Sequence, residues 1–373
     1  MRRAGGCSGI VPRRVIVAGA TGVTGASAVA AFLAAGWEVH ATARRSPARP
    51  VAGARYHRTD LLDRAACAAL LHQTGPVDAV AFCAINEVPG SLVEKWTDPG
   101  QVERNRAMLV HLLDAVLATS PAFRHIAVVH GTKAYGVHLP GARLSLPHRE
   151  DDPRLEHENF YFAHEDELAR RARGQAWSWT IFRAPIILGG GIGTNLSNFL
   201  ALGVIASLAR LAGRPFDFLA GPDEGLFEVV DADLLGRAMV WAMGAASARG
   251  EIFNIANGDV ARWRSLWPVI AHACGAMPGA DRPGQSCVAL ARALAPEWAD
   301  AVARHGLAAP ADLGAFLGES FALLDFALPS GIVSVMSTIK LRKAGFHECE
   351  DTPERLRAWL ARWQAEGLLP PTE

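Results

Sequence analysis

Residues 15–25, Val-Ile-Val-Ala-Gly-Ala-Thr-Gly-Val-Thr-Gly, constrain the fold more than any other stretch, because an apolar strand runs directly into three glycines at GxxGxxG spacing and then into helical sequence. Gly19 permits a sharp turn, Gly22 lets backbone approach a pyrophosphate, and Gly25 lets the helix lie close on the strand, leaving phosphate at a positive helix N-terminus. Gly19, Thr21, Gly22, Val23, Thr24 and Gly25 are therefore expected to bind a dinucleotide; a tight strand-to-helix turn in another kind of α/β protein is the competing reading. The next strand, Trp37 to Ala43, ends in Arg44-Arg45, where a site preferring NAD would carry a carboxylate for the ribose 2′-hydroxyl. Two planar guanidiniums there favour the 2′-phosphate of NADP, unless they are a solvated surface pair. A third strand, Ala54 to Arg58, delivers Thr59-Asp60-Leu61; Asp60 can accept from the adenine amino group or cap a helix, and Asp60 and Leu61 join the expected cofactor site.

Strand and helix patterns alternate from Arg14 to about Arg183, with strands at Val15 to Ala18, Glu38 to Ala43, Ala54 to Arg58, Ala79 to Ala84, His125 to His130 and Trp179 to Arg183. This rhythm predicts an α/β fold, a Rossmann-like doubly wound parallel sheet with a smaller, mainly C-terminal substrate-binding lobe. The expected division is a flexible extension over 1–12, a nucleotide domain over 13–190 to which 225–260 return, and a substrate lobe from 191–224 and 261–373. Ligands of such sheets sit beyond the carboxyl ends of the strands, which adds Ala84, His130, Gly131 and Ile187 to the cofactor contacts. Gly189 to Gly193 follow a late strand and are read as a mobile lid that shapes the nicotinamide wall. Trp263 and Trp267, four apart on one helical face, read as core; the tail from Pro278 reads as helical, ending in an amphipathic helix from Pro353 to Glu366.

The 37 basic and 37 acidic residues cancel, which gives no electrostatic footprint for nucleic acid or an anionic membrane. Phe199 to Leu208 is the best apolar run and is too short to span a bilayer, so it reads as a buried helix. The six cysteines form no CxxC pair, and reduced thiols in a cytoplasmic protein explain them best. The basic leader lacks an apolar core and is not a secretory signal. No metal site is expected, the cluster from His347 to Glu350 included.

Hydride transfer needs a donor where negative charge builds on the substrate oxygen, and a phenol assisted by an ammonium, which lowers its pKa, can serve. Short-chain dehydrogenases carry the pair as YxxxK on one helix, yet Tyr161 is followed at that spacing by Glu165. Lysine is scarce, however, and Lys133 falls just past the fifth strand, so a loop lysine could replace the helical one. Tyr161 as a packing aromatic with Lys133 as a surface cation is the bland alternative.

The run Asn159-Phe-Tyr-Phe-Ala-His-Glu-Asp166 resembles the NFYYxxED motif of the progesterone 5β-reductase and iridoid synthase-like enzymes, atypical extended short-chain dehydrogenases that reduce activated carbon–carbon double bonds with NADPH. His130-Gly-Thr-Lys-Ala-Tyr135 is similar to their TGxKHY segment, Ala43-Arg-Arg45 to their ARR, and Phe253 to Asp259 with Trp263 and Trp267 to FNxSNGDxxxWxxxW. The resemblance implies Tyr161 and Lys133 as catalytic residues, NADPH/NADP+ as cofactor, a small-molecule enone or enal substrate, and a homodimer. Departures at Phe162, Ala134 and Arg183 to Gly189 touch substrate preference more than reaction type. Implied is hydride addition to the β-carbon, Tyr161 holding the enolate oxygen with Lys133 in support. The alternatives are an NADP-dependent carbonyl reductase or alcohol dehydrogenase, a non-catalytic NADP sensor and, more remotely, a nucleotide-sugar epimerase.

Overall fold

In the computed structural model, residues 13–87, 96, 98–139, 141–222, 225–331 and 333–372 are described; the extension expected over 1–12, with Cys7, lies outside them. The chain opens with β1 (Arg14–Ala18), α1 (Val23–Ala34), β2 (Glu38–Ala43), β3 (Arg55–Arg58), α2 (Arg64–Thr74), β4 (Ala79–Phe82), α3 (Pro99–Thr119), β5 (His125–Gly131) and a 3-10 turn (Thr132–Tyr135). Then follow α4 (Phe160–Ala172), β6 (Ser178–Ala184), β7 (Ile186–Leu188), α5 (Asn198–Leu211), β8 (Phe216–Phe218), β9 (Val229–Asp231), α6 (Ala232–Ala242) and β10 (Glu251–Asn254). The chain ends with α7 (Trp263–Ala273), β11 (Pro278–Asp281), α8 (Cys287–His305), α9 (Leu313–Leu317), α10 (Ser320–Ala327), α11 (Ile339–Lys343) and α12 (Thr352–Ala365).

Seven parallel strands form one sheet in the order β10-β6-β5-β4-β1-β2-β3. The order reverses between β1 and β4, and that switch point opens a crevice at the carboxyl ends of both strands. Both faces are covered, as all-parallel sheets require: α1 and α6 pack one face through Val29, Phe32, Leu234 and Met239, and α2, α3 and α4 the other through Leu70, Leu109 and Leu168. The central strand Ala79–Phe82 accordingly reads as an unbroken apolar run, buried throughout, whereas the edge strand β3, Arg-Tyr-His-Arg, is polar and partly exposed.

A second core gathers α5, α7 to α10 and α12 beside the sheet. The apolar run of α5 is buried along almost its whole length, and no described helix is long and apolar enough to cross a membrane. Trp263 and Trp267 both lie in this core. One expectation fails: the segment from Pro278 begins with a strand, β11, paired parallel to β8, and helix resumes only at Cys287. All four β11 residues are exposed, so no apolar alternation marked them, and Asp217 fixes the strand by accepting the Ala280 N–H at 2.9 Å.

Asp231 ties the two cores together. Fully buried at the end of β9, it caps α6 by accepting from the N–H groups of Asp233 and Leu234, while its other oxygen accepts from Arg355 Nε at 2.7 Å and Trp359 Nε1 at 2.9 Å on α12. Asp231→Ala removes a helix cap and strands two donors; a loss on the order of 3 kcal/mol is expected, read as a lower urea midpoint.

Candidate active site

The glycine turn is built by close approach. Gly19 adopts φ +78°, and a Cβ on it would sit 2.7 Å from the Ala84 Cα of the segment after β4; a Cβ on Gly25 would sit 2.1 Å from the Gly19 carbonyl oxygen. Gly22 begins α1 without a side-chain cap, and the first turn holds no acidic residue, so the first amides of the helix are left for an anion. These features fit a dinucleotide pyrophosphate. Gly19, Thr21, Gly22, Val23 and Thr24 line a cleft of about 750 Å³, together with Ala84, Gly131 and Ile187. Gly25 does not line it: its part is to let α1 close on the turn.

Arg44 and Arg45 rim the cleft at the end of β2 and are exposed. Arg45 Nη2 donates to the Gly193 carbonyl at 2.9 Å, which brings the 189–193 loop across to the Arg45 rim of the cleft. Asp60 and Leu61 also line the cleft. Asp60 accepts the Leu62 N–H and caps no helix, since Asp63 caps α2.

At the other end of the same cleft stand Tyr161, on the first turn of α4, and Lys133, in the 3-10 turn after β5. One side chain joins them. Asn159 caps α4 by accepting the Tyr161 N–H at 3.0 Å, and its Nδ2 donates to the Lys133 carbonyl at 3.0 Å. The phenol reaches Gly131, where a Cβ would stand 3.1 Å from the hydroxyl oxygen. The Lys133 ammonium lies over aromatic faces, 4.5 Å from the Trp96 ring centroid, 5.5 Å from that of Phe160 and 5.6 Å from that of Tyr161.

Burial pulls Lys133 down to about 8, opposed by the Glu87 carboxylate. Burial, with Glu87 adding to it, pushes the Tyr161 phenol well above its ordinary value. The expected lowering of the phenol pKa by the lysine is therefore corrected: Tyr161 stays protonated and is suited to donate a hydrogen bond. Glu87 is itself pushed up by burial and held down by Lys133 and by Asn195, whose Nδ2 donates to it at 3.2 Å.

His130 packs against the phenol. It borders the cleft, but its imidazole is buried and stacked under Tyr161, with ring centroids 4.3 Å apart. Its Nε2 lies 3.4 Å from His164 Nδ1, and Glu165 Oε1 is 3.7 Å from its other nitrogen. The His130 ring thus stands behind the phenol. Glu165, at the position of the helical lysine in YxxxK, pairs with Arg183 at 2.8 Å and Arg154 at 2.7 Å, so that position carries structure here.

The model of the family described as "NAD dependent epimerase/dehydratase family" matches residues 15–256. The chain belongs to that family. It is an NAD(P)-dependent oxidoreductase, and within the family it belongs with the progesterone 5β-reductase and iridoid synthase-like proteins. An (S)-8-oxocitronellyl enol synthase of Camptotheca acuminata is 28% identical over 294 residues, covering 74% of this chain and 73% of that protein. A 3-oxo-Delta(4,5)-steroid 5-beta-reductase of Arabidopsis thaliana is 32% identical over 179 residues, 46% of each chain. Among solved structures, UDP-glucose 4-epimerase of Thermus thermophilus in complex with NAD superposes with a TM-score of 0.64 at 18% identity, covering 94% of this chain and 99% of that one, a likeness of fold.

Asn159, Glu87 and Trp96 were missed from the sequence as parts of this site. Only Asn159 carried a signal, a capping residue before a helical run. Two outcomes are expected. Lysine is charged below its pKa, so kcat/KM should show a falling limb as pH rises through about 8, and that limb should be absent from the residual activity of Lys133→Met. Asn159→Asp keeps the cap but loses the donor to Lys133, so it should lower kcat with little change in melting temperature, whereas Asn159→Ala should lower both.

Proposed function

We propose that the protein is an NADPH-dependent reductase adding hydride to the β-carbon of an activated C=C bond in a small enone or enal. The observation that carries this reading is a protonated, buried phenol beside a half-buried ammonium, in one cleft with a dinucleotide turn. When bound, the reduced nicotinamide supplies the hydride. Tyr161 donates to the carbonyl oxygen as it becomes an enolate, and Lys133 contributes positive charge at short range in a water-poor setting. Arg44 and Arg45 hold the 2′-phosphate, Arg45 keeping the Gly193 loop across the rim. The walls beyond Lys133, among them Trp96, Phe227, Trp263 and Phe326, are apolar and suit a small hydrophobic acceptor. The names of the two relatives, an enol synthase and a steroid 5β-reductase, support the same chemistry.

The test is purified protein with NADPH and then NADH against a panel of cyclic and linear enones, with products identified. Saturated ketone or aldehyde formed with NADPH is expected, and Tyr161→Phe should slow it by about a hundredfold or more. An allylic alcohol as product would assign the same residues to carbonyl reduction, and undiminished turnover of Tyr161→Phe would refute the role given to the phenol.

A further inference from the structure

Reduction of an enone leaves an enolate whose α-carbon must take a proton, and neither Tyr161 nor Lys133 has been given that task. We propose that Glu228 is a catalytic residue, the general acid that protonates the α-carbon; this rests on the reductase reading above.

Glu228 lines the cleft and is only 5% exposed. It immediately precedes β9, and the β7–β9 register pairs Val229 with Ile186, so Glu228 stands opposite Pro185. Pro185 follows Ala184, which is paired with Gly131 across β5 and β6, and Gly131 is the residue that the Tyr161 hydroxyl reaches. Gly131, Ala184 and Pro185 line the cleft together with Tyr161 and Glu228, so the phenol, entering from α4, and the carboxyl, from the start of β9, border one stretch of its wall and can meet one small substrate. One carboxyl oxygen, Oε2, accepts the Met336 N–H at 2.6 Å, which fixes the group; Oε1 has no partner among the described residues.

The chemical state suits the task. Burial, with the Asp259 carboxylate adding to it, pushes Glu228 up to about 7, against the Met336 N–H and Arg342, so a large share of the group carries a proton at neutral pH. The other candidates in the cleft are worse placed: Glu87 is committed to Lys133 and Asn195, and burial holds His138 near 4, too low to carry a proton. In the step, the Glu228 O–H bond breaks, its proton forms the new C–H bond with the enolate π pair, and the substrate C=O re-forms. The carboxylate left behind regains a proton from water.

The experiment uses a cyclic enone bearing an α-methyl group, reduced in D2O with NADPH by the wild-type protein and by Glu228→Gln, whose amide oxygen can still accept from Met336. Wild type should place deuterium at the α-carbon on one face, whereas Glu228→Gln should turn over about tenfold or more slowly at similar KM and give a mixture of α-epimers, because the enol would leave and tautomerise in water. In parallel, infrared spectra of the cofactor-free protein should contain a protonated-carboxyl band that titrates near pH 7 and is missing from the variant. Equal stereochemical purity in the two proteins, or no such band, overturns the proposal and leaves the reductase reading standing. Absence of any enone reduction by wild type overturns both.

Discussion

The bridge made by the Asn159 amide holds the site together. Its oxygen starts the helix that presents Tyr161, and its nitrogen grips the carbonyl of Lys133 on the turn after β5. In the YxxxK arrangement, one helix fixes the distance between phenol and ammonium through its own geometry, two residues on one face a turn apart. Here that position holds Glu165, engaged with Arg183 and Arg154, and the ammonium comes from another element. A pair assembled from two segments needs a cross-tie, and a short, stiff amide with both donor and acceptor supplies it.

Burial then sets the chemistry. The same desolvation that pulls Lys133 down keeps Tyr161 protonated, which suits the pair to serve as hydrogen-bond donor plus nearby positive charge in the proposed reaction. The stacked His130 ring behind Tyr161 and the aromatic rings around Lys133 exclude water and restrict both side chains, the preorganisation that makes an oxyanion site effective. The Gly193 loop extends this order. It meets Arg45 at the ribose rim, and Asn195, two residues on, reaches Glu87 beside Lys133 while accepting from the Glu319 N–H of the second lobe. The Arg45 rim, the surroundings of Lys133 and the second core are therefore linked through one short strap.

The sequence was most informative where one local rule decided the structure. The glycine turn was legible because Gly19 and Gly25 lack room for a Cβ and Gly19 needs φ above zero, and central strands such as β1 and β4 were legible because buried parallel strands are apolar runs. The sheet could be read from rhythm alone. β11 could not, since an exposed four-residue strand bears no period and owes its place to Asp217, more than 60 residues away. Tyr161 and Lys133 stood out by scarcity and position, but which way their pKa values move depends on burial, which sequence does not carry. The same limit hid Glu228, recognisable only once β9 lies beside β7, and the stacking of the His130 ring behind the phenol.

The most direct test of the central claim is a crystal structure with NADP+ bound. The pyrophosphate should lie on the amides of the Gly19–Gly22 turn, with the Lys133 ammonium within about 3 Å of the nicotinamide ribose and the Tyr161 hydroxyl open to a substrate over ring carbon C4. A nicotinamide ring bound outside the space between these two residues, or a Lys133 side chain turned away from Tyr161 in the complex, would contradict it.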